Sequence, residues 1–147
     1  EDEKWMQIAI IEANNAKIKD EIPVGAVIVK NGLLISQAHN QPISTNDPTA
    51  HAEIQAIRKA GEKERNYRLV GSIIYITLEP CAMCLGAIIH ARIDRIVFGA
   101  SDPKTGVCGS CTNLTNAPFF NHKVKFTGGI LEEDCNTILR NFFIELR

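Results

Sequence analysis

The chain has no excess of charge of either sign: 16 Lys and Arg stand against 17 Asp and Glu, a net of -1. No global positive field therefore draws it to a nucleic acid, and the bulk balance favours a small-molecule substrate. It has no long apolar run. The longest, 69–78 and 80–91, are separated by Glu79 and fall well short of the roughly 18 residues a spanning helix needs, so no membrane partner is expected. Internal repeats, linkers and low-complexity tracts are also lacking. With 147 residues, 45% hydrophobic and 22% charged, the composition excludes a disordered, collagen-like or coiled-coil chain and fits one folded domain over 1–147. Five Cys is an odd number, which excludes a fully paired disulfide framework and points to thiol or metal chemistry in a reducing, cytoplasmic setting. The chain opens on Glu1 rather than Met, which leaves room for a trimmed targeting segment.

The pattern that is present alternates helices and strands. Trp5, Ile8, Ala9 and Ala16, flanked by Met6, Ile10 and Ala13, set an apolar stripe at helical spacing that Pro23 closes. Runs at 24–30 and 33–38 are split by Asn31-Gly32, the pair a type I′ hairpin turn demands because both positions need positive φ. Asp47-Pro48 predicts a helix start, with 50–60 helical up to Gly61. A buried strand is expected at 73–78, a helix from Pro80 to about His90, strands at 96–98 and 123–126, and a last helix whose stripe is Cys135, Ile138, Leu139, Phe142, Phe143 and Leu146. The order α-β-β-α-β-α-β-β-α predicts a three-layer α/β/α sandwich on one mixed sheet of about five strands, its first hairpin antiparallel and its later crossovers parallel. Residues 105–122 contain no Asp, Glu, Lys or Arg and read as a long loop, either a binding loop or an irregular connection.

Metal ligands are suggested by His51-Ala52-Glu53 at one helix start and Pro80-Cys81-Ala82-Met83-Cys84 at another. Cys81 and Cys84, three apart, share a helix face, and a helix N-terminus favours thiolate. One His and two Cys give three ligands for Zn²⁺ with a fourth position left for water, the arrangement of a catalytic site. Glu53, two residues from His51, suits general acid and base work, which hydrolytic deamination of an amidine-like carbon requires. Cys108 and Cys111 form a second Cys-x-x-Cys, so a closed Cys₄ ribbon is the competing reading, although 23 residues lie between the pairs, more than the usual spacing. Asn113-Leu114-Thr115 matches a glycosylation sequon by accident in an intracellular chain.

Taken with Ile22-Pro23-Val24-Gly25, Asp47-Pro48-Thr49-Ala50-His51-Ala52-Glu53, Thr77-Leu78-Glu79-Pro80-Cys81, Phe98-Gly99-Ala100 and Asp102-Pro103-Lys104-Thr105-Gly106, nearly the whole chain resembles the bacterial, TadA-type tRNA-specific adenosine deaminase family, within the cytidine-deaminase-like zinc deaminases. That resemblance implies conversion of adenosine to inosine at the wobble position of an anticodon, chiefly of an arginine tRNA, with the base flipped into a zinc pocket by a homodimeric enzyme. It implies one zinc per subunit on His51, Cys81 and Cys84, with attack at C6 and Glu53 as proton shuttle. By the same resemblance Asn40 would bind the target base between Ile22, Val24 and Leu78. Asp102, Asn121 and His122 would meet flanking nucleotides, and Phe142 or Phe143 with Arg147 would lie near the anticodon stem-loop. A deaminase of a free base or nucleoside, such as cytosine or guanine, would share the metal site. Local charge also tempers the net balance: Arg58, Lys59, Lys63, Arg65 and Arg68 face only Glu62 and Glu64 in 58–68, a basic patch the total conceals.

Overall fold

The computed structural model describes residues 1–146 and is built on a five-stranded sheet in the order β2-β1-β3-β4-β5. The strands are β1 (Gly25–Lys30), β2 (Leu33–His39), β3 (Ser72–Leu78), β4 (Arg95–Ala100) and β5 (Lys125–Thr127). The helices are α1 (Asp2–Ile18), α2 (Pro42–Thr45), α3 (Ala52–Glu64), α4 (Ala82–His90) and α5 (Glu132–Glu145). β1 pairs antiparallel with both β2 and β3, while β3–β4 and β4–β5 are parallel, the mixed sheet expected. Asn31 and Gly32 both adopt positive φ, 53° and 73°, as the hairpin turn requires.

Side-chain alternation builds the three layers. Ala26, Ile28, Ile74, Ile76, Ile96 and Phe98 face α3 and α4, where they meet Ala52, Ala56, Leu85 and Ile88. Their neighbours Val27, Val29, Tyr75 and Val97 face the other way, against Trp5, Met6 and Ala9 of α1 and Cys135 of α5. Strands covered on both faces need apolar residues at consecutive positions, hence the unbroken run of β3. α1 lies so close to β1 that a Cβ on Gly25 would overlap the Ala9 carbonyl oxygen.

Several boundaries differ from those the sequence predicts. α3 runs through Gly61 and stops at Arg65, whose φ is 52°; an interior glycine costs only about 1 kcal/mol, and Ala60 immediately before it is fully buried. Its N-cap is His51 rather than Asp47. Asp47 instead accepts from the Thr49 N–H and hydroxyl at 2.9 and 2.7 Å, a local turn that side-chain oxygens stabilise at the expense of helix. The short α2, with Pro42 in its first turn and Asn46 in the left-handed region, is an addition. Leu146, expected in the last stripe, is the C-cap residue after α5 and is exposed. The stretch 105–122 is irregular, with one bridge between Cys108 and Asn113. Within it Asn113 accepts from the Thr115 N–H and hydroxyl at 3.0 and 2.6 Å, so the Asn-x-Thr spacing is a turn motif. Among the described residues no helix is long and apolar enough to cross a membrane.

At the end of the sheet where β4 begins, Arg95 makes a two-pronged pair with Asp2 at 2.8 and 3.0 Å, and the Tyr75 hydroxyl donates to the same carboxylate at 3.0 Å. The Arg95 hydrogen bond, foremost, holds the Asp2 carboxyl below its ordinary 3.8. A carboxylate with a lowered folded pKa stabilises above its unfolded value, and that contribution fades as pH falls through the folded one. Asp2→Asn is therefore expected to lower stability by at most about 1 kcal/mol at neutral pH, the pair being partly solvated. Denaturant melts should show the gap to the unsubstituted chain closing in acid; a gap that is independent of pH would refute the assignment.

Candidate active site

Two helix N-termini converge beside the C-terminal ends of the parallel strands β3 and β4, the edge where open α/β sheets bind ligands. His51 is the N-cap of α3 and Cys81 the N-cap of α4, each with extended backbone. The helix that starts at Cys81 brings Cys84 round to the same side one turn on. His51 Nδ1 lies 3.7 Å from Cys81 Sγ and 3.5 Å from Cys84 Sγ, and all three ligand atoms fall within 4.8 Å of one another. A tetrahedral zinc with Zn–N of about 2.0 Å and Zn–S of about 2.3 Å spans N···S edges of about 3.5 Å. The donor set and its spacing thus fit one zinc ion per chain with a fourth position open. Among the described residues this is the one group of three or more ligating side chains that comes together. Cys108 is buried and Cys111 exposed, so the second Cys-x-x-Cys does not complete a Cys₄ site.

The protons of this cluster are distributed by contact and burial. The Cys84 thiol, hydrogen-bonded to Cys81, takes the Cys81 thiol down to about 4, against the cost of burial and with help from His51. The same bond, with burial, holds the Cys84 thiol far above its usual range, and contact with Cys81 raises His51. Glu53, on the first turn of α3, is 4% exposed; burial pushes its carboxyl up to about 7. A group poised near neutrality can both accept and return a proton.

The pocket in front of these groups measures about 140 Å³. Ile22, Val24 and Leu78 form its apolar walls, and Asn40, His51, Glu53 and Cys81 its polar side. Val24 and Leu78 are kept together by Gly25, whose N–H donates to Thr77 Oγ1 at 3.1 Å. Asn40 Oδ1 accepts from the Ala52 N–H at 3.2 Å, which spends its oxygen on the start of α3 and leaves its NH₂ as the donor. A larger groove of about 500 Å³ adjoins through Ile22, Leu78, Asp102 and Thr105, and Leu139 and Phe143 close its outer side. Phe143 is 47% exposed whereas Phe142 is buried, so the two rings divide surface and core between them. Asp102 lines both spaces, but its carboxylate is taken up by its own turn, accepting from Lys104 N, Thr105 N and Thr105 Oγ1 at 3.1, 3.2 and 2.8 Å.

Not every predicted residue gathers here. Asn121 and His122 line neither space; His122 Nε2 is hydrogen-bonded to the Ile93 carbonyl at 2.7 Å. Arg147 lies outside the described residues. The basic cluster of 58–68 begins at mid-α3 with Arg58, about 10 Å along the axis from His51 and paired with Asp47 at 3.7 Å, and continues past the helix end at Arg65 and Arg68, about 20 Å or more from His51 at 1.5 Å rise per residue. In the other direction, Glu79 and Thr105 line the pocket although neither was read as a site residue. Glu79 had a signal: a carboxylate between two apolar runs must find buried donors.

This geometry agrees with the similarities of the chain. Residues 1–100 match the family model described as the cytidine and deoxycytidylate deaminase zinc-binding region. A tRNA-specific adenosine deaminase of Bacillus subtilis (strain 168) is 45% identical over 147 residues, all of this chain and 91% of that protein. The chain belongs to the tRNA-specific adenosine deaminase family. A structure from a study of A-to-I editing by tRNA:A34 deaminases at the wobble position superposes with a TM-score of 0.90 at 42% identity, over 92% of this chain and 99% of the other. Family membership is not blind to base deaminases: a guanine deaminase from Bacillus subtilis superposes at 0.66 with 35% identity, over 85% and 83% of the two chains.

Proposed function

We propose that this domain hydrolyses the exocyclic amine of adenosine at the wobble position of a tRNA anticodon, giving inosine and ammonia. The observation that carries the reading is the three-donor cluster with a buried, near-neutral carboxylate behind it in a chain of this family. His51, Cys81 and Cys84 would hold zinc, which supplies Lewis acidity to make water a nucleophile at neutral pH. In the reaction a bond forms from water oxygen to C6, the C6–N bond breaks, and ammonia leaves. Glu53 carries one water proton to ring N1 as the C6–O bond forms and then moves the remaining hydroxyl proton to the departing nitrogen, so both protons of water stay in the products, one on N1 of inosine and one on ammonia, and no net proton leaves the site. Asn40 donates its NH₂ to the base, and Ile22, Val24 and Leu78 hold the ring from its apolar faces.

The neighbouring groove gives the flanking nucleotides a place, with Phe143 as a stacking face and the turn of Asp102 as its rim. Asn121 and His122 are assigned to the anticodon strand farther from the reacting base. A homodimer is the working assembly. Its support is the side of α4 that this chain leaves uncovered, where Ala82 and Met83 are exposed and Gly86 and Ala87 half-buried while the other side packs into the core. An arginine tRNA is the assigned substrate and the cytoplasm of a bacterium the assigned location.

A competition assay tests the substrate class. With an anticodon stem-loop and an equal concentration of free guanine and cytidine, ammonia release should follow the stem-loop alone; release from the free base or nucleoside with the stem-loop untouched would transfer the assignment to a base deaminase.

A further inference from the structure

Glu79 is the last residue before the Pro80-Cys81 metal segment and is 2% exposed. Among the described residues its carboxylate pairs with no cation. Oε1 accepts from the Asp102 N–H at 3.0 Å, and Oε2 from the Cys108 and Ser110 N–H groups at 2.8 and 3.1 Å. The adjoining Pro80 carbonyl accepts from the Val107 N–H at 3.1 Å. The loop between them is drawn in so far that a Cβ on Gly106 would overlap the Glu79 carboxyl carbon and crowd the Asp102 carbonyl oxygen. Thus 102–110, an irregular segment with no sheet of its own, takes its shape from one buried carboxylate two residues from a metal ligand. That segment carries Asp102 and Thr105, two of the four residues shared by the inner pocket and the outer groove.

We infer that Glu79 is a positioning residue for substrate: it sets the substrate-facing loop in register with the Cys81 metal segment, and so fixes the passage from groove to pocket. The inference rests on the function proposed above. Buried backbone N–H groups need acceptors, and bonds to a charged acceptor are the stronger kind. Glu79→Gln preserves volume, but whichever way its amide turns, an NH₂ group meets at least one backbone N–H that formerly met an oxygen. The loop must then move or leave donors unmet, while the three metal donors and Glu53 keep their own supports.

The test uses Glu79→Gln and, from the loop side, Gly106→Ala, each assayed on an anticodon stem-loop together with zinc content, thermal melting and amide hydrogen exchange. Both variants should stay folded and bind zinc at the unsubstituted stoichiometry. Exchange should accelerate at one or more of the three N–H groups that Glu79 accepts from, those of Asp102, Cys108 and Ser110, and KM should rise roughly tenfold or more with a smaller change in kcat. Folded, zinc-loaded variants whose KM stays within about twofold of the unsubstituted value would overturn the inference, as would a loss confined to zinc content. If the unsubstituted protein forms no inosine, the proposed function fails instead; exchange at Asp102, Cys108 and Ser110 still reports whether Glu79 holds the loop.

Discussion

Glu53→Gln is expected to lower inosine formation by roughly 100- to 10,000-fold, the range that removal of a general acid–base removes, with zinc content unchanged. Glu53 is not among the three ligating side chains, so its loss should spare the metal. Its side chain is buried on the first turn of α3 and lines the pocket beside His51 and Cys81. Gln matches its size and keeps an oxygen, so packing is preserved and only the proton traffic stops. Burial is also what raises the carboxyl to about 7, the property an amide cannot reproduce. Inosine measured by reverse transcription, beside metal analysis of the same preparation, checks both halves. A variant within tenfold of the unsubstituted rate would sink the assigned role.

His51→Ala and Cys84→Ala are each expected to abolish stoichiometric zinc and, with it, activity. Removing a direct donor should exceed the roughly 10- to 100-fold affinity cost of changes in the surrounding shell. There is a stability counterpart. A ligand present at about 1,000 times its Kd stabilises the folded state by about 4 kcal/mol, so a chelator should lower the Tm of the unsubstituted protein and leave both variants where they were. Cys84 is fully buried, and its truncation also leaves a small cavity; the chelator difference separates that packing loss from metal loss. Retention of one zinc per chain by either variant would contradict the ligand set.

Much of this was legible in the sequence because it was written in local chemistry. Asn31-Gly32 fixed the first hairpin, since few other residue pairs accept two positive φ values. His51 and Cys81 announced themselves by type and spacing, and their convergence follows from both lying just before helices that pack on one face of the sheet. The end of α3 was not legible: Gly61 looks like a stop, but the buried Ala60 and the left-handed Arg65 carry the helix past it. The turn that takes up the Asp102 carboxylate is local, made with Lys104 and Thr105, whereas spacing alone did not show that Phe142 and Phe143 part ways, because that depends on where α5 lies against β4. The role of Glu79 is tertiary in the same sense; its three donors come from residues 23 to 31 positions away.

Net charge misled at first. A balance of -1 argues against nucleic acid, and the basic cluster that tempers it runs from mid-α3 away from the reacting base, its nearest member Arg58 already paired with Asp47. Recognition then falls to shape: an apolar pocket, a groove with one aromatic face and an uncharged loop, with phosphate contacts contributing a modest salt dependence.

The central claim is tested most directly by mapping inosine after incubating the zinc-loaded protein with an anticodon stem-loop that carries adenosine at the wobble position and at other loop positions. The account predicts conversion at the wobble adenosine and at no other. No inosine at that position, or inosine spread evenly over the loop adenosines, would contradict it.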